Sequence, residues 1–168
     1  MEPDRRVRVG ATRTVVLIDG RSGAGKTSLA RVIAPAIGAH LVSLDDLYPG
    51  WQGLQAASRM VHEQLLRREE PGWRRWDWGS GRQAEWHPVD PDAPIVIEGC
   101  GAISRASRAL ADVAIWVEAP DAVRRQRALD REPGFAAHWE SWAEQERAHA
   151  DRENPRALAD VIVESRSP

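Results

Sequence analysis

Within one short stretch, Gly20, Gly23, Gly25, Lys26 and Thr27 carry the residue types and spacing that hold a phosphate group, in the pattern G-x-x-x-x-G-K-[ST]. Glycines let a backbone bring its N–H groups against phosphate oxygens more closely than side-chain-bearing residues allow. Lysine at that place reaches the outer phosphates, and the hydroxyl that follows it suits a divalent cation. The candidate phosphate-binding set is Gly20, Ser22, Gly23, Ala24, Gly25, Lys26, Thr27 and Ser28. Lys26 is the only lysine in the chain; every other cationic side chain is arginine.

Such a loop works only between a strand and a helix, and the flanking residues supply both. Val15, Val16, Leu17 and Ile18 form a β-branched and aliphatic run ending at Asp19, which predicts a buried strand. Leu29, Val32, Ile33 and Ala36 space out one side of a helix over 27–37, with Gly38 as its stop. The helix start adds unpaired N–H groups and a positive dipole end to the same anion site.

Further acids stand where an open α/β sheet places its ligand chemistry, at strand ends. A second strand over 40–44 runs into Asp45 and Asp46; a third at Ile95, Val96 and Ile97 runs into Glu98. A fourth strand over 113–117 is followed by a helix over about 121–131, then another over about 135–152, and 160–164 reads as a last strand. Strands alternating with helices predict an α/β domain with a five-stranded parallel sheet covered on both faces. Residues 1–168 read as one domain.

Between the second and third strands, over about 48–94, the composition shifts. Residues 54–70 predict one amphipathic helix, with Leu54, Ala57, Val61 and Leu65 as its stripe. Residues 71–94 are rich in glycine, proline and tryptophan, have no sustained period, and read as a long substrate-facing loop. Of eight tryptophans in the chain, Trp51, Trp73, Trp76, Trp78 and Trp86 lie in this insertion, against one tyrosine and one phenylalanine overall. They suit either stacking on a ring or packing in a core.

Composition bounds the rest. A net charge of −2 gives no electrostatic case for nucleic acid or an anionic membrane as partner. The lone Cys100 excludes an intramolecular disulfide and a cysteine-built metal cluster. Residues 1–12 read as a fraying lead-in without an apolar core, and no apolar run is long enough to span a bilayer, so the expectation is a soluble cytoplasmic protein. Oligomeric state is left open.

Taken together, IDGRSGAGKT, LVSLDDLY, RWDW, VIEGCG and VEAPDAVRRQRALDR resemble the uridine kinase branch of the P-loop nucleoside kinases, in that family's order and at comparable spacing over most of residues 14–131. The resemblance implies the P-loop three-layer α/β/α fold with its five parallel strands in the order 2-3-1-4-5, and an enzyme that moves the γ-phosphate of ATP, with Mg²⁺, to a hydroxyl of a small molecule such as a nucleoside. By it, Lys26 is catalytic, Asp45 takes up the acceptor's proton, and Thr27, Asp45 and Glu98 support the metal. Arg124, Arg127 and Arg131, spaced along one helix face, match a lid over about 121–134 that closes on ATP phosphates, Arg124 and Arg127 acting in catalysis. Asp77 falls where the family holds sugar hydroxyls, though Trp76 and Trp78 flank it here; Tyr48, Trp76, Asp77 and His87 complete the acceptor-facing set. The commoner use of lone histidines, His87 and His149 alike, is structural.

Several readings stay open at this level. One of Asp45 and Asp46 is a base or metal partner and the other a cap, with Asp45 favoured for the family's role. Arg59, Arg67, Arg68, Arg74 and Arg75 could hold the phosphate of a nucleotide acceptor, and sugars or antibiotic alcohols are further candidates. Outside transferases, a GTPase switch is disfavoured because its N-K-x-D element needs a second lysine. A regulatory ATPase and a nucleotide binder without turnover remain as alternatives.

Overall fold

In the computed structural model, residues 13–166 are described; the lead-in over 1–12 lies outside them. Five strands build the main sheet: β1 Val15–Asp19, β2 His40–Ser43, and, after a separate pair β3 Gly72–Asp77 and β4 Arg82–Pro88, β5 Ile95–Glu98, β6 Val113–Glu118 and β7 Val161–Glu164. All are parallel in the order β2-β5-β1-β6-β7. Counted along this sheet alone, that is the expected 2-3-1-4-5.

β1 is central because every one of its residues is apolar or used at the site, and all five are buried. Alternate side chains go to opposite faces. Val15 and Leu17 join a core with Ile95, Ile97, Val42, Leu54 and Trp142, while Val16 and Ile18 join a second core with Ala30, Ala34, Val96 and Ile115. The register places Ile18 between Glu98 of β5 and Ile115 of β6, so the strand ends that bear acids line up beside the glycine-rich loop.

The first helix, α1 Lys26–Ala36, sets Ala30 and Ala34 against the sheet, where small side chains allow close approach. It closes in paired bonds from Ala39 N to Ala34 O at 2.8 Å and from Gly38 N to Pro35 O at 3.2 Å, the pattern expected of a glycine stop. On the other face lie α2 Leu54–Met60 and, late in the chain, α5 Trp139–Glu153. Two short helices, α3 Arg105–Arg108 and α6 Pro155–Leu158, were not evident from periodicity, and α4 Asp121–Arg131 stands where expected.

The insertion differs from expectation twice. The helix predicted over 54–70 is α-helical only to Met60 and continues as a π turn over Val61–Leu65, ending at Leu66. The widened turn keeps Val61, Leu65 and Leu66 all buried, which regular 3.6-residue winding would not do for the adjacent pair. Beyond it the stretch read as a loop is an antiparallel hairpin, β3 with β4. A register shift between Arg74 and Trp76 breaks the alternation that would have signalled strands. Trp73 and His87 pair across it with rings 4.3 Å apart, and Gly72 leaves room for the Trp86 ring, which a Cβ there would meet at 2.4 Å. Likewise, the helix expected over 135–152 opens with a 3₁₀ segment, Pro133–His138, before α5 begins.

No helix among the described residues is long and apolar enough to cross a membrane.

Candidate active site

The glycine-rich loop is held by charged groups from behind. Asp19, at the end of β1, accepts from Gly20 N at 2.7 Å, Ile103 N at 2.9 Å and Gly101 N at 3.2 Å, tying the loop to the segment after β5. His149 of α5 bonds Ile103 O through Nε2 at 2.9 Å, 3.8 Å from Asp19. Burial raises the Asp19 carboxyl, with His149 and these backbone donors opposing. At Gly23 (φ 79°) a Cβ would sit 2.0 Å from the Arg124 carbonyl oxygen, so only glycine lets α4 pack this close.

Ser22 is gripped from two sides. Its N–H donates to Glu146 Oε2 of α5 at 3.1 Å, and its carbonyl accepts from Arg124 Nη1 of α4 at 3.1 Å. Glu146 also faces Arg21 Nε at 3.4 Å, and Arg124 bonds Asp121 at 2.6 Å. Both clamping side chains are buried, with relative exposures of 7 % for Glu146 and 3 % for Arg124. Of the three arginines expected to form a lid, Arg124 is turned into the protein to hold the loop backbone and does not line the cavity over the loop, while Arg127 and Arg131 do. Arg127 Nη1 lies 3.0 Å from Ser165 Oγ and 3.4 Å from the carbonyls of Gly23 and Ala24.

A cavity of about 520 Å³ opens directly over the loop. Ser22, Gly23, Gly25, Lys26, Thr27 and Ser28 line its floor, while Gly20 and Ala24 lie behind it. Lys26 Nζ donates to Arg21 O at 3.1 Å. Burial works against its charge, but Cys100, Glu98, Glu146 and Asp19 outweigh this and hold its pKa above the usual lysine value. Cys100 is buried at the cavity edge, and burial pushes its thiol up to about 11.

Glu98 forms the cavity's acidic corner. It accepts from Ser43 Oγ at 2.6 Å and Thr27 Oγ1 at 3.1 Å, and burial raises its carboxyl despite these bonds. Thr27, Glu98 and Asp45 all line the cavity and are oxygen donors, the chemistry a hard cation takes. Among the described residues no group of three histidine, cysteine or acidic side chains could hold a metal by itself.

At the other end Asp45 and Asp46, in a 3₁₀ turn after β2, are exposed and line the cavity. Partial desolvation against the neighbouring chain and the charge of Asp45 lift the Asp46 carboxyl above its ordinary value, with Arg75 and His87 opposing. Around them stand rings. Trp78 Nε1 donates to Asp45 O at 3.0 Å, and Trp51 packs 5.1 Å from Trp78, 5.2 Å from Phe135 and 4.2 Å from His138. Tyr48 lines the cavity too, but its hydroxyl is committed to Cys100 O at 2.8 Å.

The hairpin residues assigned to the acceptor lie elsewhere. Asp77 caps its own turn, accepting from Gly79 N at 3.0 Å and Ser80 Oγ at 2.7 Å, bonds that hold its carboxyl below the usual value. His87 stacks on Trp73, and neither it, Asp77 nor Trp76 lines the cavity. The residues that do line the cavity beyond the loop include Trp51, Trp78, Phe135 and Trp142, with Asp46 and Glu132. Only the position of Trp78 next to Asp77 hinted at this; Trp78 stands in the turn after β3, where its ring reaches Trp51 and the Asp45 carbonyl.

No protein-family model matches the chain, and no curated protein matches it by sequence. Solved structures do match. A protein described as a possible uridine kinase from Bacillus stearothermophilus superposes with a TM-score of 0.61 at 20% identity, over 92% of this chain and 90% of that one. A gluconokinase from Sinorhizobium meliloti 1021 gives 0.57 at 18% identity, over 95% and 86%. Shikimate kinase from Acinetobacter baumannii gives 0.56 at 17% identity, over 94% and 87%. The chain therefore has the fold of the P-loop kinases.

Proposed function

We propose that the protein is an ATP- and Mg²⁺-dependent phosphotransferase that phosphorylates a hydroxyl of a small molecule. The observation that carries this reading is that Lys26, the Thr27–Glu98 pair and Asp45 open on one cavity, with Arg127 and Arg131 on its α4 side. Phosphoryl transfer needs positioning and charge neutralisation above all, and these are the groups it uses.

In this reading Lys26 and the loop N–H groups hold the outer phosphates of ATP, and Arg127 and Arg131 meet charge from the lid. A magnesium ion on Thr27 and Glu98 would supply further neutralisation at the phosphate oxygens. Asp45 accepts the proton of the acceptor hydroxyl as its oxygen bonds to the γ-phosphorus. The bond from that phosphorus to the β–γ bridging oxygen breaks, and its electron pair leaves on ADP.

A nucleoside or nucleoside-like alcohol is the acceptor implied by the sequence resemblance, and the ring-lined end suits it. A nucleoside monophosphate is disfavoured by where the insertion's arginines stand. Arg59 pairs with Glu63, Arg67 bonds Glu70 O, Arg74 bonds Ala84 O, Arg75 bonds Glu85, and none of these lines the cavity.

ADP release from ATP and Mg²⁺ across a panel of nucleosides, nucleotides, sugars and aminoglycoside-type alcohols tests the reading. Acceptor-dependent release is expected, falling by about 10²–10³-fold in Lys26→Ala, as for loss of one strong transition-state contact. Tight ATP binding with no turnover on any acceptor would instead favour a regulatory or non-catalytic role.

A further inference from the structure

We propose that Asp19 and His149 are positioning residues of the transfer: they staple the glycine-rich loop to the segment after β5, and so fix Lys26 and Thr27 against Glu98 without touching ATP or acceptor. The inference rests on the phosphotransferase reading and deepens it.

The need for a staple lies in the path of the chain. β1 and β5 run side by side with Ile18 opposite Glu98, and Gly99 N donates to Ile18 O at 3.0 Å as the strands end. Beyond that bond the two branches part. One continues from Gly20 into the loop that bears Lys26 and Thr27; the other turns at Gly99 and Gly101, both at positive φ, toward α3. The site draws on both branches, since Thr27 Oγ1 and Glu98 Oε1 meet at 3.1 Å across the split. Packing does not close the split from behind: a cavity of about 130 Å³, whose lining includes Asp19, Gly20, Cys100, Gly101 and His149, lies at the back of the loop. Hydrogen bonds have to hold what packed side chains hold elsewhere.

Asp19 supplies them. It closes the buried run of β1 at 2% exposure and does not line the cavity over the loop, so its carboxylate is out of reach of nucleotide and acceptor. A buried carboxylate costs stability unless its oxygens are matched, and here both are. Oδ1 accepts from Gly20 N on the loop branch and from Gly101 N on the other, and Oδ2 accepts from Ile103 N. One side chain thus holds both branches. An amide cannot do the same, because its NH₂ would face a backbone donor. His149, buried on α5, braces the second branch. The Ile103 carbonyl only accepts, so the 2.9 Å bond makes Nε2 the donor, and that same nitrogen lies 3.8 Å from Asp19 Oδ2.

The test uses the full chain with Asp19→Asn, His149→Leu and His149→Gln, at a temperature where circular dichroism shows each variant folded. Affinity for a non-hydrolysable ATP analogue is read by tryptophan fluorescence with and without Mg²⁺, and kcat and KM by acceptor-dependent ADP release. In Asp19→Asn the affinity gained on adding Mg²⁺ should shrink by about 10-fold and kcat should fall by about 10–100-fold, the range for groups that orient metal ligands from behind. Metal-free affinity and acceptor KM should stay within about 2-fold. His149→Leu should shift the same quantities in the same direction, and His149→Gln, whose amide still offers an N–H to Ile103 O, should restore them. An unchanged Mg²⁺ response and kcat in Asp19→Asn overturn this inference alone. So does an equal loss of analogue affinity with and without Mg²⁺, the mark of a loop that has merely loosened. If Asp19→Asn does not fold, the His149 variants decide: an unchanged Mg²⁺ response in His149→Leu, or a loss that His149→Gln fails to restore, overturns it. No turnover of any acceptor by the unmutated protein overturns the phosphotransferase reading, and this inference with it.

Discussion

Glu146 shows how much of the site depends on residues that touch no reacting atom. Its carboxylate is buried, bonded to Ser22 N and set against Arg21, yet burial dominates and its pKa is raised. A raised folded pKa means that the group favours the fold below the usual glutamate value of 4.5 and that this contribution is lost as pH rises through the folded value. Glu146→Gln keeps an oxygen for Ser22 N and removes the buried charge. The expected outcome is a melting temperature higher by about 2–4 °C at pH 8, with the gap closing toward pH 4, read by calorimetry. A lower melting temperature at pH 8 would show that attraction to Lys26 and Arg21 outweighs burial.

At the scale of elements, what was legible in the sequence follows from how local each signal is. The loop at Gly20–Thr27 and its flanking strand announce themselves because their chemistry and periodicity lie within a dozen residues. That the third strand lies inside the sheet was also readable, since the run Ile95–Val96–Ile97 has no polar face to spare for solvent, whereas the strand order came from the family resemblance. Arg124 was misplaced because spacing tells which side of a helix a residue is on, and only packing tells that this side meets the Ser22 carbonyl, 102 residues away. Glu146 escaped notice for the same reason. The hairpin was hidden by its bulge and by tryptophans on both sides of the strands. Its integrity rests on Gly72, where a side chain would strike the Trp86 ring and the His87 carbonyl. Gly72→Ala should cost about 1–3 kcal/mol of stability in urea unfolding and speed amide exchange over 72–88, with exchange in β1 and β5 unchanged if the hairpin opens independently.

For the molecule as a whole, the Ser22 clamp links three elements that are far apart in sequence. The loop, α4 and α5 share hydrogen bonds through the two peptide units that flank the Ser22 Cα, so filling the loop with phosphate should act on both helices together. Adding an ATP analogue and Mg²⁺ should therefore slow amide exchange in 121–131 and 139–153 as well as in 20–28. In Lys26→Ala the protection of all three should be lost in parallel; protection confined to 20–28 in the unmutated protein would mean that the clamp carries no coupling.

The hairpin strands pair with each other and with no strand of the main sheet. In the proposed reaction phosphate chemistry falls to β1, α1 and α4, and Trp78 comes to the cavity from a module that packs on the core through Trp73 but shares no strand pairing with the main sheet. Over evolutionary time such a module can be exchanged, lengthened or lost without unzipping the sheet, so related chains can keep one phosphate donor while diversifying what they modify. The same independence makes residues 71–89 the natural segment to graft when a different acceptor is wanted.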